Sequence, residues 1–251
     1  MASSLWRTKG SMGMKTFTSL TLAMALLPAT AQGPRPEADY KWAKIDGEFA
    51  AALAAQGSAP VGREGYRDLC LACHLPSGAG RADGSIPQLA GQHATVLIKQ
   101  MADIRKGVRD NPTMLPYARQ LTDAQGLADV AAYIESLCVP ASQGRYVGAD
   151  LAWQVSSGKA LYAQQCQQCH GANGGGNAAK FIPVIAGQHY KYLLRQLTEI
   201  RDGKRRNANP EMAAIVKPYT DEQLIAISAY QASLAMPGAT CQLRGAPAAR
   251  K

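Results

Sequence analysis

Past residue 31 this chain of 251 residues has no apolar run long enough to cross a bilayer, which excludes a later membrane-spanning helix. It shows no sustained apolar/polar alternation, so a sheet-based fold has no support. Aromatic residues make up 6% of the chain, and no basic stripe is interleaved with them. The formal net charge of +9 therefore does not point to nucleic acid. With only four histidines, at positions 74, 93, 170 and 189, any metal chemistry must be built from a small set of donors.

Two of those histidines close a motif that is present twice. Cys70-Leu71-Ala72-Cys73-His74 recurs 96 residues later as Cys166-Gln167-Gln168-Cys169-His170. C-x-x-C-H is the attachment pattern of c-type haem: the two thiols form thioethers to the porphyrin, and the adjacent histidine reaches the iron. The sequence thus predicts two covalent haem c groups, on Cys70 and Cys73 and on Cys166 and Cys169, with His74 and His170 as axial iron ligands. A thioredoxin-type redox pair would need a βαβ context, which is missing. Paired zinc sites would each need four ligands at suitable spacing.

The first 31 residues contain Arg7, Lys9 and Lys15, no acidic residue, an apolar run from Phe17 to Leu27, and then Ala29-Thr30-Ala31. This is the pattern of a cleaved signal peptide, with an uncleaved anchor as the alternative and Met14 as a second candidate start. Export to the periplasm is expected, and it removes three positive charges. Residues 32–56 form an extension whose segment 39–56, Ala-rich with Trp42 and Phe49, is predicted to be helical.

Sliding the chain on itself by 96 residues also aligns Gly62 and Tyr66 with Gly158 and Tyr162, Ile86-Pro87 with Ile182-Pro183, and Ala90-Gly91-Gln92-His93 with Ala186-Gly187-Gln188-His189. Two inserted residues then bring Asn111-Pro112 opposite Asn209-Pro210 and Met114 opposite Met212. The repeat defines domains at 57–142 and 149–241, a linker at 143–148 and a tail at 242–251. Each copy reads as three helices: one running into C-x-x-C-H, one after the Ala-Gly-Gln-His segment, and one starting at Thr122-Asp123 or Thr220-Asp221 with the threonine as N-cap.

An iron used for electron transfer needs both axial positions filled. Met114 lies 40 residues after His74 and Met212 lies 42 after His170, each following Asn-Pro-x in what reads as a loop. They are the candidate sixth ligands. His93 and His189 are the rivals, but each falls beside leucines on an apolar helical face and reads better as a satisfied core histidine. Cys138 and Cys241, each just after the last helix of its domain, are a candidate disulfide; two unpaired thiols or an iron-ligating thiolate are the alternatives. Two basic clusters, Arg105, Lys106 and Arg109, and Arg201, Lys204, Arg205 and Arg206, read either as solvated faces or as patches that steer an acidic redox partner.

The two haem motifs, the Pro-x-x-Ala-Gly-Gln-His segments and the late methionines resemble the di-haem class I cytochromes c, of the c4 type. The resemblance covers nearly all of the mature chain. It implies an all-α fold of two tandem class I cytochrome c domains, His/Met ligation, and periplasmic carriage of single electrons toward partners such as a terminal oxidase. It also implies that the carbonyls of Pro87 and Pro183 support the proximal histidines, and that Gly62 with Tyr133, and Gly158 with Tyr230, mark the packing of first helix on third. Leu75 departs from the pattern, standing where Gly171 stands in the second copy. The expected function is electron transfer without catalysis. The alternatives are a relay subunit of a periplasmic dehydrogenase, docked through residues 32–56, and a di-haem enzyme of the peroxidase or thiosulfate dehydrogenase kind.

Overall fold

The computed structural model describes residues 45, 47–121, 123–138 and 144–235. These form helices and no strand; the only β feature among them is an isolated bridge between Asn177 and Ile182. Helix α1 (Gly47–Ala54) precedes domain 1, which comprises α2 (Ala59–Leu69), the single turn α3 (Leu71–His74), α4 (Ala94–Arg105), α5 (Leu115–Gln120) and α6 (Ala124–Ser136). Domain 2 repeats the order with α7 (Leu151–Leu161), a π-helical turn (Tyr162–Cys166), α8 (Gln167–His170), a 3₁₀ turn (Ala178–Lys180), α9 (Tyr190–Arg201), α10 (Pro210–Val216) and α11 (Asp221–Ser233).

In both domains the first long helix lies on the last, and a glycine makes the approach close. A Cβ on Gly62 would come within 1.8 Å of the Asp129 carbonyl oxygen, and one on Gly158 within 1.9 Å of the Ala226 carbonyl oxygen. Tyr66 and Tyr133, and Tyr162 and Tyr230, continue the contact with ring centroids 5.3 and 5.2 Å apart. Val130 and Ile134, and Leu224 and Ile227, complete the buried faces of α6 and α11.

The caps differ from expectation in one copy. Thr220 caps α11 in a full capping box with Gln223. In domain 1 the cap is Asp123, whose side chain accepts from the Gly126 N–H at 2.6 Å, and Thr122 lies outside the described residues. The methionine segments differ between the copies, since Asn111–Pro112 lie in a turn ahead of α5 as expected. Asn209 caps α10 with Pro210 in its first turn, so Met212 is helical, and Met114 is the N-cap of α5. Proline is well suited to a first helical turn, so Asn209-Pro210 starts a helix rather than preventing one.

Of the extension, residues 32–44 and 46 lie outside the described residues, and its helix α1 packs on domain 1. Phe49 and Ala52 of α1 are buried against domain 1, Glu48 pairs with Arg105, and the Phe49 ring lies 5.8 Å from that of Phe181 in domain 2. Neither basic cluster is a free patch. Arg201 is paired with Asp202 and Asp221, and Arg206 donates to the Gly107 carbonyl. Arg205 and Arg109 turn inward and cross at the boundary between the domains. Each donates to both Gln100 and Gln196. Burial and the neighbouring Arg109 charge pull Arg205 down to about 10. Beside this crossing sits a buried ion pair, Lys99 with Asp103, whose carboxylate also accepts from Asn207 at 2.8 Å.

The Gln-His segments complete the boundary symmetrically. Gln92 donates to the Val184 carbonyl and accepts from the Val184 N–H, both at 2.9 Å. Gln188 does the same to Gln88, at 2.9 and 3.0 Å. His93 Nε2 bonds the Gly175 carbonyl at 2.9 Å, and His189 Nε2 bonds the Ala79 carbonyl at 2.7 Å. These are satisfied histidines, as expected, but they stand at the N-caps of α4 and α9 and their partners belong to the opposite domain.

Two outcomes follow from this packing. Gly158→Ala should lower stability by about 1–3 kcal/mol, because a methyl group is forced into backbone; the denaturant midpoint of domain 2 measures it. Burial holds the His189 imidazole below its ordinary value. The unfolded chain is then the better proton acceptor, so this contribution is intact above about pH 6.5 and declines as the pH falls toward the folded value. His189→Gln should flatten that part of the stability–pH curve, measured by thermal unfolding across the acidic range.

Candidate haem-binding sites

The helix α2 delivers Cys70 to its C-cap, and α3 carries Cys73 and His74 on the next turn. Residues three and four apart lie on one helical face, so both sulfurs and the imidazole project toward one side. In domain 2 the π-helical turn ends on Cys166 and runs directly into α8 with Cys169 and His170. His74 and His170 are 4% and 6% exposed, which keeps water from competing for a metal position.

The Nδ1 atom of His74 lies 3.1 Å from the Pro87 carbonyl oxygen, and that of His170 lies 3.2 Å from the Pro183 carbonyl oxygen. A carbonyl only accepts, so Nδ1 carries the proton and the Nε2 lone pair is left for iron. Burial lowers the affinity of both rings for a second proton, with the proline carbonyls acting in the opposite sense. Burial also pushes the Cys70 and Cys166 thiols up to about 11 before any thioether forms.

A glycine leaves the room each proline carbonyl occupies. Gly80 and Gly176 have positive φ, and their N–H groups bond the carbonyls of His74 and His170 at 3.0 and 2.9 Å. A Cβ on either would meet the proline carbonyl oxygen at 2.4 or 2.5 Å. In the sequence the only signal for these two glycines is their identical offset from the two histidines. The tyrosines of the helix contact add a second brace, since Tyr66 and Tyr162 donate to the carbonyls of Leu75 and Gly171 at 2.6 and 2.7 Å. Two thiols on one turn beside a neutral, oriented imidazole are the donor set a covalent haem requires. Among the described residues, no three His, Cys, Asp or Glu side chains converge as a self-sufficient metal cage would need.

Met114 and Met212 are both partly buried, and Met212 packs against the domain 2 core. Each backbone N–H lies near the side chain of the preceding asparagine, at 3.1 Å from Asn111 and 3.4 Å from Asn209. Cys138 is exposed beyond the end of α6, while Cys241 lies outside the described residues.

With this geometry in place, the comparisons decide the family. The model of the cytochrome c family matches twice, over residues 61–138 and 155–235. The chain belongs to the cytochrome c family. Cytochrome c4 of Azotobacter vinelandii is 35% identical over 195 residues, 70% of this chain and 89% of that one. A thiosulfate dehydrogenase electron acceptor of Stutzerimonas stutzeri is 36% identical over 173 residues, 66% of this chain and 78% of that one. The crystal structure of reduced cytochrome c4 from Pseudomonas stutzeri superposes with a TM-score of 0.62 at 29% identity, covering 71% of this chain and all of that one. This cytochrome is therefore of the di-haem c4 type, an electron-transfer protein with two covalent haem c groups and two tandem all-α domains.

One residue of the site is strained. Leu75 adopts φ 66 and ψ 160, a conformation close to that of its counterpart Gly171 at φ 77 and ψ 161. That region is essentially reserved for glycine and costs a side-chain-bearing residue about 1–3 kcal/mol. Leu75 is also 39% exposed, so its side chain recovers little by burial. Leu75→Gly should stabilise domain 1 of the holoprotein by about 1 kcal/mol, seen as a higher denaturant midpoint with an unchanged haem spectrum.

Proposed function

We propose that this protein is a periplasmic carrier of single electrons, with His74 and Met114 as the axial pair of one haem iron and His170 and Met212 as that of the other. Cys70, Cys73, Cys166 and Cys169 hold the two groups covalently. When bound, each haem supplies a one-electron couple at its iron. The chain's own residues set its conditions. Pro87 and Pro183 hold the imidazoles in the tautomer that presents Nε2, and the helix contact behind Cys70 and Cys166 fixes the direction of approach. Thioether sulfur from Met114 and Met212 favours the ferrous state and raises the potential. The domain limits 57–142 and 149–241 go with this reading, each enclosing one motif and one methionine.

The observation that carries the proposal is the repetition of the complete supporting set around both motifs: Gly80, Pro87 and Tyr66 around His74, and Gly176, Pro183 and Tyr162 around His170. A second reading, a cytochrome that accepts electrons from a dedicated dehydrogenase, is favoured by the relative named as a thiosulfate dehydrogenase electron acceptor. The same residues serve either role. In both, the exposed cations around Leu194 of domain 2, namely Lys191, Arg195 and Lys204, would steer an acidic partner, in place of the inward-turned arginines.

Met114→Ala and Met212→Ala in the holoprotein should each remove half of the methionine–ferric-iron charge-transfer band and open one iron to carbon monoxide. Each should also lower the potential of the altered haem. Spectra of the oxidised and reduced protein, with and without carbon monoxide, check this. A full band retained in either variant removes that methionine from the ligand set.

A further inference from the structure

The Gln-His pair at the end of each Ala-Gly-Gln-His segment reaches the other domain at two corresponding places. Within its own domain each glutamine Oε1 also accepts from the next histidine's N–H, and His93 Nδ1 lies 3.8 Å from Glu135. Gln92 holds both backbone groups of Val184, the residue after Pro183. Gln188 holds both backbone groups of Gln88, the residue after Pro87. A side-chain amide here does the work of a peptide unit in a ladder, donating and accepting at one partner. His93 reaches Gly175, whose neighbour Gly176 is bonded through its N–H to the His170 carbonyl. His189 reaches Ala79, whose neighbour Gly80 is bonded to the His74 carbonyl.

His189 also fixes the linker. The Gly144 N–H donates to its Nδ1 at 2.9 Å, so its proton resides on Nε2 and is directed at Ala79. The Gly144 carbonyl then accepts from the Tyr190 N–H at 2.7 Å, and a Cβ on Gly144 would meet the Ala82 carbonyl oxygen at 1.8 Å. Three segments, from domain 1, the linker and α9, converge on one buried imidazole.

Each domain thus grips the backbone on both sides of the segment that orients the other domain's candidate iron-binding histidine. We propose that Gln92, His93, Gln188 and His189 are positioning residues for electron exchange between the two haems, forming a reciprocal clasp that fixes one site relative to the other. The inference rests on the proposed electron-carrier reading. In the exchange one iron passes from ferrous to ferric as the other passes from ferric to ferrous, with one electron moved and none gained or lost. Rigid placement matters because electron exchange depends steeply on separation, and a swinging pair of domains would spend most of its time apart.

The test uses the full holoprotein. After rapid reduction by one electron, the equilibration between the haems is followed in the wild type and in Gln92→Leu, His93→Leu, His189→Leu and His93→Gln. Loss of positioning by the leucine variants should slow equilibration about tenfold or more, with the absorption spectrum of each haem unchanged. His93→Gln, whose amide can still donate toward Gly175, should recover most of the wild-type rate. Unfolding offers a second readout: the clasped protein should unfold in one transition and the leucine variants in two. Gln92 and His93 are only partly buried, so their variants carry the test if His189→Leu does not assemble. Wild-type equilibration together with a single unfolding transition in Gln92→Leu and His93→Leu would overturn the proposal. So would a changed ligand-field spectrum in His93→Leu, which would place that histidine at its own iron. Failure of the carrier reading is distinguishable, because it shows in the wild-type spectrum as a missing methionine band, before any clasp residue is altered.

Discussion

The interaction on which both sites depend is the hydrogen bond between a buried imidazole and a proline carbonyl. A histidine at the end of a single helical turn has a ring free to rotate and two nitrogens that compete for one proton. The Pro87 and Pro183 carbonyls settle both questions, and each lies where a side chain on Gly80 or Gly176 would clash with it. Helix packing then serves this bond. The close glycine contacts at Gly62 and Gly158 bring α2 and α7 onto α6 and α11, and the tyrosines one turn later reach the carbonyl following each histidine. Core and site are therefore one construction, and a change at the helix contact is transmitted to the motif.

Two copies of that construction would make a symmetric molecule, and the boundary between them is largely symmetric. Gln92 mirrors Gln188, His93 mirrors His189, and Arg109 crosses Arg205 over a shared pair of glutamines. Like charges placed side by side are costly unless their donors are well matched, and here Gln100 and Gln196 accept from both. The departures are local. Lys99 and Asp103 form a buried pair on one side only, with Arg195 and Glu199 in the corresponding positions more exposed. Phe181, at φ 56, sends its ring toward Phe49 of α1, where the first copy has Ser85. Leu75 keeps a glycine conformation without being glycine. Such differences give two nominally equal haem sites unequal surroundings.

The family relationship and the physical reading meet at the motif and part at the surface. Two relatives with similar identity to this chain carry different names, one a cytochrome c4 and the other an acceptor for thiosulfate dehydrogenase. Nothing in the helix core distinguishes those roles, since the same ligands and braces serve both. The distinction has to reside in exposed groups, and the strongest sequence signal for them, the arginine clusters, is largely taken up by bonds within the molecule.

The sequence by itself determined the cofactor, the number of domains and the helical class. Each of these is written in local spacing: C-x-x-C-H places three donors on one turn whatever surrounds it, and a repeat at constant offset implies two like units. It also marked Gly62, Gly158, Pro87 and Pro183, because the offset and the family pattern single them out. Only the tertiary structure decided what the Gln-His pairs and the arginines do. A histidine at the start of an apolar helical face has the same local pattern whether it faces its own core or another domain, and a run of arginines has the same pattern whether solvated or buried. Asn-Pro is ambiguous for a related reason: Asn111-Pro112 makes a turn and Asn209-Pro210 caps a helix, and the choice depends on where the chain must turn. Local periodicity records which face is buried, but the identity of the burying surface is set by contacts about a hundred residues apart, such as Gln88 with Gln188.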